Sequence, residues 1–316
     1  MKRITAVLAL GFVLSTLAFA QPAELRGHTG LVYSVAFSPD GKLLATAGFD
    51  NLVKLWEFPS GKEVKSLAGH TGPVYCVAFS PDGKTLASSS LDQTIKLWNL
   101  ADGKMTKELK GHAGIVDSVA YSPDGKLLAS GSADKSVRLW NPAEGKELKK
   151  LGEHTGSVYS VAFSPDGKLL ASGGAAEKEN LVKVWDVAAQ KELKALKGPT
   201  AAVTGVIFTP DGKNVLAISQ DRMLRQWDVA SGMETKKLGP TPDDLYGIAF
   251  SRDGKALATS GYAGYITLWD LAANKVVLSK KLKSFGAYCI AFTPDGKALV
   301  TGHDNHACLV TPAGGP

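Results

Sequence analysis

Cysteine is scarce in this sequence, and neither sign of charge dominates it. The chain has 316 residues, of which only 3 are cysteines, and an odd number leaves at least one thiol unpaired. Apolar residues make up 44% of the chain and charged residues 21%, a balance typical of a globular protein. The formal net charge of +6 is mild and gives no strong case for a nucleic-acid partner, so we expect none.

Long apolar runs are absent outside the first twenty residues. Two basic residues precede an apolar run at 4–19, and Ala-Phe-Ala at 18–20 offers the small residues that signal peptidase reads. This order predicts a signal peptide at residues 1–20, a single mature domain at 21–316, and an exported protein, periplasmic or secreted. The alternative is an uncleaved anchor, although the run is shorter than the roughly 20 residues that span a bilayer.

Motifs for phosphate cradling and for zinc-dependent proteolysis are also absent. One turn holds His303, Asp304 and His306, with Cys308 two residues further on, and these side chains could hold a transition metal. Such a turn is more often a solvated loop. We therefore expect no metal and no cofactor.

A short turn sequence recurs along the chain with a nearly constant spacing. It reads Ser-Pro-Asp-Gly-Lys in four copies, Thr-Pro-Asp-Gly-Lys in two and Ser-Arg-Asp-Gly-Lys in one. Successive copies lie 42 residues apart, except for one interval of 45 residues between the fourth and the fifth. The glycines of the seven copies are at positions 41, 83, 125, 167, 212, 254 and 296. Seven structural repeats are therefore expected.

Each repeat contains the same four candidate strands. In the first repeat they are Val32–Phe37, 43–47, 53–56 and a Lys-rich segment at 62–67. The first strand alternates large and small residues, which favours burial on both faces. Cys76 and Cys289 occupy the small, buried position of this strand in blades two and seven, with blade one between them. Cys308 is two strands away from Cys289, beyond the reach of a disulfide. We therefore expect three free and mostly buried thiols. Seven units of four short antiparallel strands predict an all-β, seven-bladed propeller.

The ends of the chain fit a closed ring. The seventh repeat stops after its third strand at 306–310, whereas residues 23–28 match the fourth-strand segment at 107–112. The N-terminal segment therefore supplies the missing strand and removes the last open edge. Lysines on the outer strands oppose pairing with other chains. They are Lys62, Lys65, Lys104, Lys107, Lys146, Lys149, Lys191 and Lys194.

Two dipeptides mark the beginning and the end of the repeats. Gly-His opens repeats at 27–28, 69–70 and 111–112, and Trp-Asp closes them at 185–186, 227–228 and 269–270. With these markers the sequence resembles the WD40-repeat family from about Ala23 to Val310. The resemblance implies a monomeric platform that binds a protein or peptide and is not an enzyme.

The resemblance also implies a buried tetrad of polar side chains in each well-formed blade, with a hydroxyl between an indole and an imidazole. The tetrads are His28, Thr46, Asp50 and Trp56; His70, Ser88, Asp92 and Trp98; and His112, Ser130, Asp134 and Trp140. Blade four has only Glu179 near its Asp position, and blades five to seven depart further. We expect rigid blades one to three, and local opening that begins in the second half.

A His, a Ser and an Asp in one blade could also indicate a hydrolase. The set recurs with the same spacing in three blades, whereas an enzyme needs one site, so architecture is the better interpretation. Two alternatives to a binding platform stay open. One is a small-ligand binder or enzyme that uses the central channel, and the other is a structural module of the envelope.

The residues expected to contact a partner are aromatic or apolar. In the family, the residue after the first-strand Val and the residue before the tetrad Asp commonly face the narrower end of the ring. Those chosen here are Tyr33, Phe49, Tyr75, Leu91, Tyr159, Tyr246, Tyr262 and Tyr288. Asp117 and Thr204 break the run of tyrosines at the first of these positions. The alternative is that each Tyr only packs across the seam between two blades. The expected function is an exported scaffold that binds its partner on the narrow, Tyr-rich face.

Overall fold

The computed structural model of the chain describes residues 24–175, 181–283, 286–304 and 306–312, with side chains as far as Cys308. The predicted signal peptide at 1–20 lies outside the described residues, as does Glu179 in the insertion of blade four. Every regular element of the described part is a β-strand. No helix in that part is both long and apolar enough to cross a membrane.

The described residues form 28 strands, numbered in chain order. They are β1 Glu24–Arg26, β2 Val32–Phe37, β3 Leu43–Gly48, β4 Leu52–Glu57, β5 Glu63–Ala68, β6 Val74–Phe79, β7 Thr85–Ser90, β8 Ile95–Asn99, β9 Met105–Leu109, β10 Val116–Tyr121, β11 Leu128–Ser132, β12 Ser136–Asn141, β13 Lys146–Glu153, β14 Val158–Phe163, β15 Leu169–Gly174, β16 Val182–Asp186, β17 Lys191–Leu196, β18 Val203–Phe208, β19 Asn214–Ser219, β20 Leu224–Asp228, β21 Glu234–Leu238, β22 Leu245–Phe250, β23 Leu257–Gly261, β24 Tyr265–Asp270, β25 Lys275–Lys281, β26 Cys289–Phe292, β27 Ala298–Gly302 and β28 Ala307–Pro312.

The strands form seven four-stranded antiparallel sheets, the blades of a propeller, as the sequence predicted. Six blades use four consecutive strands, beginning with β2–β5 as blade one and ending with β22–β25 as blade six. The seventh has the order β1-β28-β27-β26. Leu25 of β1 pairs with Cys308 of β28, so the N-terminal strand closes the ring.

The recurring pentapeptide forms the tight turn between the first two strands of each blade. In blade one, the Ser38 hydroxyl donates to Asp40 Oδ1 at 2.7 Å and accepts from the Leu43 N–H at 2.9 Å. Gly41 has φ of 74°, a left-handed conformation that glycine adopts without steric cost. The same Ser or Thr to Asp hydrogen bond recurs at the turn of the last blade, between Thr293 and Asp295. The turn is therefore specified locally by three residue types, namely Ser or Thr, Asp and Gly.

The apolar core lies in the seams between blades. In the seam between blades one and two, Val53, Leu55 and Leu67 pack against Val74 and Val77 of the next blade. Each of these side chains is at most 4% exposed. Because every blade is covered on both faces by its neighbours, the ring has to close for its end blades to bury their apolar surface.

The three cysteines are free thiols, as expected from the repeat alignment. Cys308 is buried, and Cys76 and Cys289 are half-buried on first strands. Burial raises the pKa of the Cys289 thiol to about 12, so it stays protonated at neutral pH.

Ring closure generates a prediction about Leu25, which is 5% exposed and packs with Val32, Leu44 and Val300. Replacing it by alanine removes buried methyl groups from the closing seam. We expect Leu25→Ala to lower the free energy of unfolding of the full chain by roughly 2–4 kcal/mol in urea titrations. Val64→Ala, at a position 43% exposed on the outer strand of blade one, is the matched control and should change it by less than about 0.5 kcal/mol. Equal midpoints for the two variants would show that β1 does not hold the ring together.

Candidate partner-binding site

A hydroxyl on the second strand of blade one connects three other polar side chains. The Trp56 indole N–H donates to Thr46 Oγ1 at 2.9 Å, and His28 Nε2 lies 2.7 Å from the same oxygen. Because the hydroxyl hydrogen is then free to point at Nε2, Nδ1 carries the ring proton and donates to Asp50 at 2.9 Å. The structure thus brings the four residues of the first tetrad together.

Blades two and three repeat this arrangement. His70 lies 2.7 Å from the Ser88 hydroxyl and 2.8 Å from Asp92, and the Trp98 indole donates to Ser88 at 2.8 Å. The tetrad of His112, Ser130, Asp134 and Trp140 has the same bonds. Burial alone would raise the pKa of Asp92, but hydrogen bonds from the Thr94 hydroxyl and the His70 ring lower it to about 2. Burial also lowers the pKa of His70, so the imidazole is neutral and the carboxylate charged.

Blades four and five keep progressively less of the network. In blade four His154 and the Trp185 indole both bond the Ser172 hydroxyl, at 2.7 and 2.8 Å. Blade five has Ala217 at the hydroxyl position, and its Trp227 indole donates to the Lys197 carbonyl at 3.2 Å instead. A buried Arg225 pairs with the Asp221 carboxylate at 2.7 Å. The Asp221 carboxylate is thus paired with a guanidinium in a blade that lacks the tetrad His.

In blade six the structure reveals an acid that the sequence alignment missed. Asp243 is 6% exposed and accepts a hydrogen bond from the Ala263 N–H at 2.6 Å. The Trp269 indole still donates to Thr259 at 2.9 Å. Thr241 occupies the histidine position of this blade. Blades one to three have glycine two residues after the histidine, so the repeat pattern gave no signal that Asp243 would be a buried acceptor.

In blade seven His303, one of the candidate metal ligands, lies in the core. Its ring is fully buried, with Nε2 2.7 Å from the Thr301 hydroxyl and Nδ1 2.6 Å from the Gly286 carbonyl. This blade has Lys283 where blades one to four begin with His, and the imidazole that bonds the hydroxyl comes from two residues after it. His303 is therefore a structural residue, and its two ring nitrogens are already engaged.

The first strands of the blades share a backbone irregularity that positions the channel side chains. In blade one the ladder between β2 and β3 skips from Val32 to Ser34, so Tyr33 is a bulge residue. A bulge re-aims one side chain away from the sheet. The skipped residues in the first six blades are Tyr33, Tyr75, Asp117, Tyr159, Thr204 and Tyr246. Tyr288 directly precedes the first strand of blade seven.

Six of the eight predicted contact residues form one connected group of rings, here called the channel cluster. Tyr33 is at its centre, with ring centroids 5.1 Å from Tyr75, 5.5 Å from Phe49 and 5.8 Å from Tyr288. Tyr288 in turn lies 5.8 Å from Tyr246 and 6.1 Å from Tyr262. Edge and stacked ring contacts at such distances are favourable and hold the rings in place. The channel cluster is Tyr33, Phe49, Tyr75, Tyr246, Tyr262 and Tyr288.

The other two predicted residues lie apart from these ring contacts. Tyr159 is 37% exposed and lines the channel cavity, whereas Leu91 is 41% exposed and lies beside Gly72. The tyrosines do contact one another across blade seams, as the packing alternative requires. They also surround an open cavity, so the two interpretations are compatible.

The channel contains a cavity of about 490 Å³. Its wall includes the bulge residues of the first six blades and Tyr288. Asp117 contributes a carboxylate whose Oδ2 atom is buried and has no hydrogen-bond partner among the described residues. Burial raises the pKa of Asp117 to about 7, against a weaker opposing effect of the Ala133 backbone N–H. In the sequence Asp117 was only an exception to the tyrosine pattern.

A metal site is not formed in the described part of the chain. No group of three or more His, Cys, Asp or Glu side chains there is arranged to hold a metal ion. The turn proposed as an alternative includes His303, which is directed into the core.

A protein-family model described as "WD domain, G-beta repeat" matches the chain seven times, once for each blade. The matched residues are 20–57, 61–99, 103–141, 145–186, 190–228, 234–270 and 278–310. Together they cover most of the sequence.

Individual relatives match over about one repeat. "Small ribosomal subunit protein RACK1z" of Arabidopsis thaliana is 51% identical over 45 residues, 14% of each chain. "Ribosome assembly protein 4" of Saccharomyces cerevisiae is 48% identical over 44 residues, 14% of this chain and 8% of the relative. "Protein Mut11" of Chlamydomonas reinhardtii is 45% identical over 51 residues, 16% of this chain and 14% of the relative. These alignments thus span well under a fifth of either protein.

The comparison contradicts the predicted export. Relatives that match are named for the small ribosomal subunit and for ribosome assembly, and ribosomes work inside cells. The prediction of a periplasmic or secreted protein was therefore wrong. It depended on one short apolar run near the N-terminus.

Two neighbouring serines of blade two test whether the buried tetrad hydroxyl stabilises the blade. Ser88 and Ser89 are both fully buried, but Ser88 bonds His70 and Trp98 whereas Ser89 Oγ has no described partner. Ser88→Ala leaves two buried polar groups unpaired and should lower the free energy of unfolding by about 2–4 kcal/mol. Ser89→Ala removes only an unsatisfied hydroxyl and should be neutral or stabilising by up to about 1 kcal/mol. Urea unfolding of the full chain measures both, and similar losses for the two variants would contradict the assigned role of Ser88.

Proposed function

The chain belongs to the WD40 (WD domain, G-beta repeat) family, and from this premise we propose that it is a scaffold that binds a protein or peptide on the face bearing the channel cluster. The connected rings carry this proposal. Tyrosine and phenylalanine provide large contact areas with few rotatable bonds, and such residues dominate binding energies at protein interfaces. Here they are held by one another and by a closed ring of blades.

The exposed part of this face is apolar at its rim. Tyr262 is 58% exposed, and Leu91 and Tyr159 add further exposed apolar surface. None of the described residues that line the cavity is a lysine or an arginine, so the face has little attraction for a phosphate backbone. This composition supports a protein partner over a nucleic acid.

The relatives support the same class of function. Two of them are named as a ribosomal subunit protein and as a ribosome assembly protein, which places each of them with a larger assembly. We propose that this chain likewise acts through contacts with other macromolecules and has no catalytic activity. The polar sets that resemble a hydrolase site recur in three blades as parts of its architecture. Since the ring closes within one chain, we propose that the scaffold is a monomer.

A variant of the exposed rim tests the proposed face without disturbing the core. We expect Leu91→Ala/Tyr159→Ala/Tyr262→Ala to fold and to weaken capture of partner proteins from host extract at least tenfold relative to the parent. The matched control is Met233→Ala/Val277→Ala. This control removes the side chains of Met233 in blade five and Val277 in blade six, which are 69% and 61% exposed. It should capture partner proteins as well as the parent does.

The outcomes separate the alternatives. Equal loss in both variants would indicate nonspecific apolar binding, and equal capture by both would place the partner on another face. If the folded parent captures nothing, the scaffold proposal fails, and a small ligand in the central channel becomes the better explanation of the cavity.

A further inference from the structure

Asp117 breaks the chemical pattern of the channel at a position that recurs in each of the seven sequence repeats. Tyr occupies five of these positions and Thr204 a sixth, whereas blade three presents a carboxylate. The bulge between Val116 and Ser118 directs this residue to the cavity wall. Asp117 therefore lines the space that a partner would enter.

The cavity supplies no charge that would balance a carboxylate. The other groups around Asp117 that can titrate are the phenols of Tyr33 on β2 and Tyr75 on β6, and the thiol of Cys76 on β6. Burial raises the pKa of each of the three, so all are neutral at physiological pH. Tyr159 on β14 adds another phenol to the wall. Among the described lining residues there is no lysine, arginine or histidine.

An unpaired, partly buried carboxylate is costly, because a charge removed from water needs a partner or a proton. Oδ2 of Asp117 has neither hydrogen bond nor ion pair among the described residues. An incoming neutral side chain would leave this buried oxygen without a partner, and an anion would be repelled. A cation with N–H donors is the chemical class that relieves the cost.

The tyrosines favour the same class of ligand. The face of an aromatic ring attracts a cation within about 6 Å of its centroid, most strongly where water is excluded. Five tyrosines line this cavity, and its volume of about 490 Å³ lies in the range of sites that enclose small organic groups. A cavity lined by a carboxylate and several aromatic rings therefore suits one ammonium or guanidinium group on a flexible stem.

We propose that the channel cavity receives one cationic side chain of the partner protein, a lysine or an arginine, with the Asp117 carboxylate as its counter-ion and the tyrosine faces as its walls. This inference rests on the proposed function, because it identifies the group that a protein partner inserts. The exposed rim residues would contact the partner around this side chain.

Small amides test the inference on the full chain without any partner. The probes are Nα-acetyl-lysine methylamide, Nα-acetyl-arginine methylamide and the neutral Nα-acetyl-norleucine methylamide, titrated at pH 8 and followed by NMR or calorimetry. We expect at least one cationic amide to bind ten or more times more tightly than the norleucine amide. The stronger of the two identifies lysine or arginine as the preferred side chain.

Substitution of the counter-ion gives the decisive comparison. Asp117→Asn keeps the size of the side chain and should reduce the affinity for the cationic amide at least tenfold. Asp244→Asn is the matched control. It removes a carboxylate that is 47% exposed and pairs with Arg222, outside the cavity, and should change the affinity less than about twofold.

The pH dependence follows from the protonation of Asp117. A carboxyl with a pKa of about 7 is mostly protonated at pH 5.5 and mostly charged at pH 8, so cation affinity should rise with pH through this window. In Asp117→Asn the rise should disappear. An unchanged affinity in Asp117→Asn, equal binding of the norleucine amide, or no binding of any amide at tens of millimolar would each overturn the inference. None of these results depends on the capture experiment, so a wrong cavity ligand and a wrong scaffold proposal can be told apart.

Discussion

A buried hydroxyl on the second strand is the interaction on which the blades depend. In blades one to three it accepts a hydrogen bond from a Trp indole and bonds a His ring, which in turn donates to an Asp. The network joins the second strand, the third strand and two loops, and every member is paired. Loss of the hydroxyl leaves an indole and an imidazole without partners inside a low-dielectric core. Because this hydrogen-bond network lies away from the channel, the residue types that line the channel can vary from blade to blade without breaking it.

The bulge on the first strand of blades one to six connects this frame to the site. It presents one side chain per blade to the channel, while the flanking residues stay in the ladder and pack in the seams. Repetition of the backbone therefore produces a ring of equivalent positions, and the sequence varies the chemistry around it. Most positions carry tyrosine, and Asp117 alone adds a charge among the described lining residues. A symmetric frame with one charged position can bind an asymmetric partner in one orientation.

Features with a local sequence signal were predictable. The strand Val32–Phe37, the Ser-Pro-Asp-Gly-Lys turn and closure by the N-terminal segment follow from alternation, turn chemistry and period. Polar side chains that join these networks from outside the tetrad positions could not be predicted. His303 bonds the Thr301 hydroxyl from an unexpected position, and Arg225 pairs with Asp221 in a blade that has Ala217 at the hydroxyl position. The bulges also escaped prediction, because a skipped ladder position does not change the composition of a strand.

Hydrogen exchange of the full chain, followed by mass spectrometry, tests most directly whether the hydroxyl-centred networks set the rigidity of the blades. The account predicts that β3, β7, β11 and β15, which carry Thr46, Ser88, Ser130 and Ser172, exchange more slowly than β19, which has Ala217 in the same position. Opening should therefore begin in blade five, in the second half of the chain. Protection of β19 equal to or greater than that of the four hydroxyl-bearing strands would show that seam packing alone holds the blades, and would contradict the account.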